Sequence, residues 1–386
     1  MISAHSRTDR IEPFRVMALL ARAKELEAVG RDIVHMEVGE PDFATPQTII
    51  DAGQKYLATG QIHYTPACGL PALREKIAQH YQQEYAVNVS TQRIVITPGA
   101  SGALLLALGA LLEQGESLML ADPGYPCNRN FAWFLNAEVQ AVPVDASTEY
   151  QLSAELIKQH WQAETKAVLL ASPSNPTGTI IEAEELARII QAVNTKSAHV
   201  IIDEIYHGLV YDTQVATALT VDDDVFVINS FSKFFGMTGW RLGWMVVPDK
   251  FIDVVERLAQ NLFLAAPTLA QHAALVAFDD ASRAILEERR QAFQQRRDFL
   301  LPALREIGFE IPVTPQGAFY LYANASRFTD NSEQFCSDLL ENIGVAITPG
   351  TDFGKYKAKQ HVRFAYTTSI EKLAKGVERL ATYLNK

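Results

Sequence analysis

The chain has 386 residues, 48% of them hydrophobic and 20% charged, with a formal net charge of −11; that is length for two or three domains around a large core and the composition of an ordinary globular protein. The acidic balance excludes general binding to nucleic-acid backbones, which needs a basic excess, and no apolar run approaches the roughly 20 residues of a membrane span. Residues 1–15 lack the apolar core of a signal peptide, and Cys68, Cys127 and Cys336 are too scattered for a disulfide framework or a paired metal-ligand spacing, so a reducing, cytoplasmic setting is expected.

Apolar residues at helical spacing (Val16, Leu19, Leu20, Ala23, Leu26) predict an amphipathic helix over 13–29, ended by Gly30. A strand over 33–38 runs into Gly39-Glu40-Pro41-Asp42-Phe43, a turn that is either a plain connector or a backbone approached closely by a ligand, which glycine permits. Helical patterns over 48–58 and 70–85 flank a loop carrying Tyr64. From residue 93 short apolar runs alternate with helical patterns, as in a mostly parallel sheet covered by helices.

Five of those runs (93–96, 117–120, 166–170, 199–202 and 224–228) end in polar or aromatic residues. Their shared carboxyl edge is where open α/β sheets bind ligands. The first delivers Gly99-Ala100-Ser101 at the start of a helix, where unpaired N–H groups favour an anion. This stretch nearly matches the serine-hydrolase elbow G-x-S-x-G, but Ala103 stands where the last glycine belongs. The second delivers Tyr125, the third Asn175 and the fourth Asp203 with Tyr206. An acid directly after buried strand positions is costly without a partner. The fifth delivers Ser230 and Lys233, with Arg241 eight positions on. A lone Lys is ordinarily a solvated charge; one desolvated beside other cations is a nucleophilic amine toward an aldehyde. Ser230-x-x-Lys233 also fits the first motif of serine β-lactamases, but their S-D-N and K-T-G elements are absent, as is a Walker A loop. Taken together, these groups describe a pocket for a flat, phosphorylated, nitrogen-containing ring bearing an aldehyde.

A helical pattern over 250–278 precedes a long charged helix over 281–307, in which Glu287, Glu288, Arg289, Arg290, Arg296, Arg297 and Asp298 are expected to form a solvated face. Strands from 315 and over 361–366, with helices over 332–342 and 371–384, complete a smaller α+β unit. The expected division is a joining N-terminal segment 1–47, a large domain 48–275 and a small domain 276–386.

In order along the chain stand G-E-P-D-F, Y-T-P-x-x-G, P-G-A-S, D-P-G-Y-P, N-P-T-G, D-E-I-Y, S-F-S-K with M-T-G-W-R-L-G, and P-x-G-A-F-Y. In these motifs the chain resembles the fold-type-I, class I/II aminotransferases, which depend on pyridoxal 5'-phosphate (PLP), over about 38–363. The resemblance implies an α/β large domain with a mostly parallel sheet, a smaller α+β domain, and Lys233 as the Schiff-base lysine and proton shuttle. It implies that Asp203 pairs with the pyridine nitrogen, that Asn175 and Tyr206 bond the phenolic oxygen, and that Tyr125 stacks on the ring. Phosphate would be held by Ala100, Ser101, Ser230 and Arg241, with Ser232 a weaker candidate and Tyr64 reaching across from a second subunit of a homodimer. Arg363 would clamp the substrate α-carboxylate, helped by Asn175 and the Gly39 backbone. No metal is implied. The expected reaction moves an amino group between an L-amino acid and a 2-oxo acid, with 2-oxoglutarate/glutamate as one pair. Some aspartate-using relatives carry Lys where this chain has Ser101, which leaves the amino donor open. A C–S lyase of the same fold remains an alternative, as does an effector domain that binds PLP without catalysis. The isomer of the Asn175-Pro176 bond also stays open.

Overall fold

Helix α1 (Arg15–Ala28), strand β1 (Val34–His35) and helices α2 (Gln47–Leu57) and α3 (Pro71–Tyr85) open the computed structural model, which describes residues 9–385. There follow β2 (Ile94–Thr97), α4 (Gly99–Leu111), β3 (Ser117–Asp122), α5 (Pro126–Phe134), β4 (Glu138–Pro143), α6 (Ala154–Gln159), β5 (Thr165–Ala171), α7 (Ala183–Asn194), β6 (His199–Asp203), β7 (Phe226–Ser230) and β8 (Gly243–Val246). These strands form a seven-stranded sheet in the order β2-β8-β7-β6-β5-β3-β4. Strand β8 runs antiparallel to both neighbours while β3 to β7 pair in parallel, so the carboxyl ends of the other six share one edge.

Period-two alternation sorts the strand residues between two apolar layers. Val168, Leu170, Val200 and Ile202 pack with Ile77, Ile189 and Trp244, whereas Ala167, Leu169, Ile201 and Ile228 pack with Leu104, Leu108 and Met245. Because the strands are buried on both faces, they appear in sequence as unbroken apolar runs. Strand β4 is the exception. It is an edge strand whose Glu138, Ala141 and Pro143 are mostly out of the core, and no apolar run marks it.

The rest comprises α8 (Ile252–Leu262), α9 (Thr268–Ala274), α10 (Asp280–Ile307), β9 (Tyr320–Asn324), α11 (Ser332–Ile343), β10 (Val345–Ala346), β11 (Thr348–Pro349), β12 (His361–Ala365) and α12 (Ile370–Leu384). Strands β11, β12 and β9 make an antiparallel sheet in that order, and β1 pairs in parallel with β10. No helix among the described residues is long and apolar enough to cross a membrane, and all three cysteines are free.

Three elements differ from expectation. The strand expected over 33–38 is ladder-paired only at Val34–His35. Beyond it the backbone is held from both sides by separate bonds: the Met36 N–H donates to the Ala346 carbonyl and the Met36 carbonyl accepts from the Ala365 N–H, while the Thr348 and Thr367 hydroxyls donate to the carbonyls of Glu37 and Val38. The single helical pattern over 250–278 is two helices, because Leu264 takes a left-handed φ of 62° and Pro267 cannot lie inside a helix without loss of a backbone bond. On α10, Glu287, Glu288 and Asp298 are exposed, but Arg296 and Arg297 are buried. Arg296 forks onto Asp42 at 2.7 and 3.0 Å and lies 4.9 Å from the Phe43 ring; Arg297 bonds Asp212, Asp298 and the Pro315 carbonyl. Charge type alone does not separate such anchors from a solvated face, since long cationic stems pack as apolar chains do.

Candidate active site

The shared carboxyl edge opens into a cavity of about 200 Å³ whose lining includes Gly39, Ala100, Ser101, Tyr125, Asn175, Asp203, Tyr206, Ser230, Ser232, Lys233, Arg241 and Arg363. Lys233 comes from the turn after β7, and its Nζ donates to the Gly39 carbonyl at 2.7 Å. Burial lowers its pKa from 10.5 to about 8; Glu40 pulls upward, and Arg363 and Arg241 add to the fall. The amine is therefore uncharged in about a tenth of molecules at pH 7, far more than for an ordinary lysine, and that is the form that can attack a carbonyl.

Asp203 ends β6 and is buried, with one backbone bond, from Ile205 N at 3.1 Å. Burial raises its pKa from 3.8 to about 7, opposed by that bond and by Lys233. Among the described residues this carboxyl makes no ion pair, Lys233 acting on it only from a distance, and it is suited to receive a cation. Tyr206 and Tyr320 exchange a hydroxyl bond of 2.8 Å, and burial pushes both phenols up, so each keeps its proton.

Arg363, on β12, is 4% exposed. Its Nη1 donates to Asn175 Oδ1 at 2.9 Å and its Nη2 to the Glu37 carbonyl and to Thr348 Oγ1, while Nε is buried without a partner. The guanidinium lies over the Tyr320 ring at 4.3 Å and over the Phe353 ring at 4.7 Å. This fixes a fork beside the cavity with donor capacity still unused. The Asn175-Pro176 bond is cis.

At the other end, α4 begins at Gly99 with no side chain capping it. Gly99 has a φ of 71°, and a Cβ there would stand 2.7 Å from Arg241 Nη2. Only glycine lets the guanidinium close on the helix start. Gly243 on β8 is equally constrained, since its Cβ would meet Ala100 N at 2.9 Å. Ser230 Oγ contacts Ser232 Oγ at 3.0 Å. Helix N–H groups, two hydroxyls and one guanidinium thus converge as an anion cradle.

Of the residues expected at the site, all but Tyr64 line this one cavity. Tyr64 is 84% exposed and lies outside it. Sequence reasoning missed Tyr320, whose hydroxyl would be 1.9 Å from a Cβ on Gly39, and the lining residues Phe14, Val16, Met17, Val38 and Ile205. Tyr320 falls within the P-x-G-A-F-Y motif, which was a usable signal; for Phe14 and Met17 no local signal exists.

The donor set fits PLP: a desolvated amine for an aldehyde, a cation-seeking carboxylate for a pyridinium, and an anion cradle for a phosphate. The chain belongs to the class I and II aminotransferases, whose family pattern it matches over residues 31–380, and it is accordingly a PLP-dependent transaminase. It is 37% identical to the valine–pyruvate aminotransferase of Mycobacterium tuberculosis over 376 residues, covering 97% of each chain. It is likewise 37% identical, over 378 residues, to the (5-formylfuran-3-yl)methyl phosphate transaminase of Methanocaldococcus jannaschii, covering 97% of this chain and 98% of that one. The crystal structure of an aminotransferase from Mycobacterium tuberculosis superposes with a TM-score of 0.97 at 36% identity, with both chains fully covered.

Proposed function

We propose that Lys233 holds the cofactor as a Schiff base and that the enzyme exchanges amino groups between an L-amino acid and a 2-oxo acid, with 2-oxoglutarate/glutamate as one pair. PLP, when bound, supplies the aldehyde that condenses with amines and the ring that takes up carbanion charge. Lys233 Nζ would take the proton from the substrate α-carbon and return it one position away. Its pKa of about 8 suits both directions near neutrality. Asp203 keeps a proton on the pyridine nitrogen, and Asn175 with Tyr206 bonds the phenolic oxygen. Tyr125 covers the ring face. Ala100, Ser101, Ser230 and Arg241 hold the phosphate. Arg363, helped by Asn175 and the Gly39 backbone, would bind and orient the substrate α-carboxylate.

The observation that carries this proposal is the meeting of the Lys233 amine, the cation-free Asp203 carboxyl and the preset Arg363 fork in one cavity. We extend it to a homodimer in which the exposed Tyr64 completes the partner's phosphate cradle, and to the domain division 1–47, 48–275 and 276–386. The β1–β10 pairing supports the attachment of the first segment to the last. The test is the visible spectrum of the holoenzyme mixed with single L-amino acids, without oxo acid. Loss of the yellow form to the amine form of the cofactor, reversed by 2-oxoglutarate, is expected. Persistent colour with release of ammonia would overturn amino transfer in favour of elimination.

A further inference from the structure

One wall of the cavity is apolar and comes from outside the central sheet. Phe14, Val16 and Met17, at the start of α1, line it beside Tyr125 and Val38, and Phe14 meets the Tyr125 ring edge-on at 6.3 Å. The cations in the lining are Lys233, Arg241 and Arg363, and each already has a task. Among the described residues, the cavity lining holds no further cation to meet a charged substrate side chain.

The first turn of α1 is not held by its own sequence. Phe14 occupies the N-cap position and offers no side-chain acceptor. The N–H groups of Arg15 and Val16 are instead taken by the Asp352 carboxylate at 3.0 and 3.2 Å, from 337 residues further along the chain in the first case. Asp352 is 2% exposed and sits in the turn after β11. That turn is tied to the site twice more. Arg129, on the helix after Tyr125, donates to the Asp352 and Phe353 carbonyls at 2.8 and 3.0 Å, and the Phe353 ring stacks on Arg363. Arg15 adds an ion pair of 3.0 Å to Glu333.

We propose that Asp352 is a positioning residue that latches the first turn of α1 over the cavity, and that the wall so held selects amino acids with apolar side chains. The proposal rests on the transaminase reading of the same cavity. It is compatible with glutamate as the common partner: Met17 is 53% exposed, so the mouth is wet and the carboxylate of a longer side chain keeps its water there.

The experiment compares holoenzyme half-reactions with leucine, alanine and aspartate in the native protein, in Asp352→Asn and in Met17→Arg. Binding of the unreactive acids 4-methylpentanoate and succinate is measured alongside by isothermal titration. Each buried methylene contributes about fourfold, so leucine is expected to exceed alanine in kcat/KM by at least about tenfold, and aspartate by more. Asp352→Asn is expected to lower kcat/KM for leucine about tenfold, mainly through KM, to change alanine less than about threefold, and to weaken 4-methylpentanoate in parallel. Met17→Arg, at a half-exposed position that tolerates the change, is expected to narrow the gap between leucine and aspartate. A native enzyme that prefers aspartate to leucine would overturn the wall. Equal losses for leucine and alanine in Asp352→Asn, or unchanged 4-methylpentanoate binding, would overturn the latch. Failure of every amino acid to react would instead overturn the transaminase reading, and this proposal with it.

Discussion

Replacing Asp203 by Asn removes a buried charge while it keeps an oxygen for the Ile205 amide, so the change isolates the electrostatics of the site. Ionising a carboxyl whose pKa has risen from 3.8 to about 7 costs about 4 kcal/mol. The sign follows from proton binding. Between pH 3.8 and 7 the folded cofactor-free protein holds the proton and the unfolded chain does not. Stability therefore falls as pH rises through that window and stays low above it. Cofactor-free Asp203→Asn is expected to unfold at higher urea than the native chain at pH 8, by up to about 4 kcal/mol, and at nearly the same urea at pH 4. The stabilised variant is also expected to bind PLP more weakly and to turn over poorly, since a neutral amide cannot hold the pyridinium proton. Lys233, losing a weak electrostatic support, would move further toward the free amine. An Asn variant no more stable at pH 8, or one that gains equally at both pH values, would refute charge burial as the cause.

Arg363→Ala removes a buried fork that also ties Asn175 to the Glu37 carbonyl. Its kcat/KM for amino and oxo acids is expected to fall by a few hundredfold, about 3 kcal/mol, with PLP still bound; an unchanged KM would exclude the clamp. Tyr64→Phe deletes one hydroxyl from a side chain that touches nothing in its own cavity. If the partner's phosphate meets it, the PLP dissociation constant should rise roughly tenfold at unchanged stability, while sedimentation shows a dimer. An unaltered dissociation constant would remove Tyr64 from the site.

The parts of the fold that sequence made legible are those where local pattern and burial coincide. Strands β5, β6 and β7 are buried on both faces, so each is an apolar run, and the first polar residue after it falls at the sheet edge where Asn175, Asp203 and Lys233 meet. Local pattern fails where partners are remote. Arg296 and Arg297 look like surface charges until Asp42 and Asp212 arrive from elsewhere in the chain. Strand β4 is interrupted by Glu138 and Gln140 because it lies at an edge, and Lys250 to Phe278 looks like one helix because spacing does not register the left-handed Leu264. The apolar wall is the extreme case. Asp352 caps a helix 337 residues away, and no spacing rule connects a carboxylate to backbone groups at that distance.

Borohydride reduction of the holoenzyme followed by peptide mapping tests most directly whether Lys233 carries the chemistry. Before any amino acid is added, the phosphopyridoxyl mass should lie on the peptide containing Lys233 and on no other. After excess amino acid and no oxo acid, the same peptide should be unmodified, because the amine has been released to move protons. An adduct on a different lysine, or one on Lys233 that substrate never displaces, would contradict the proposed mechanism.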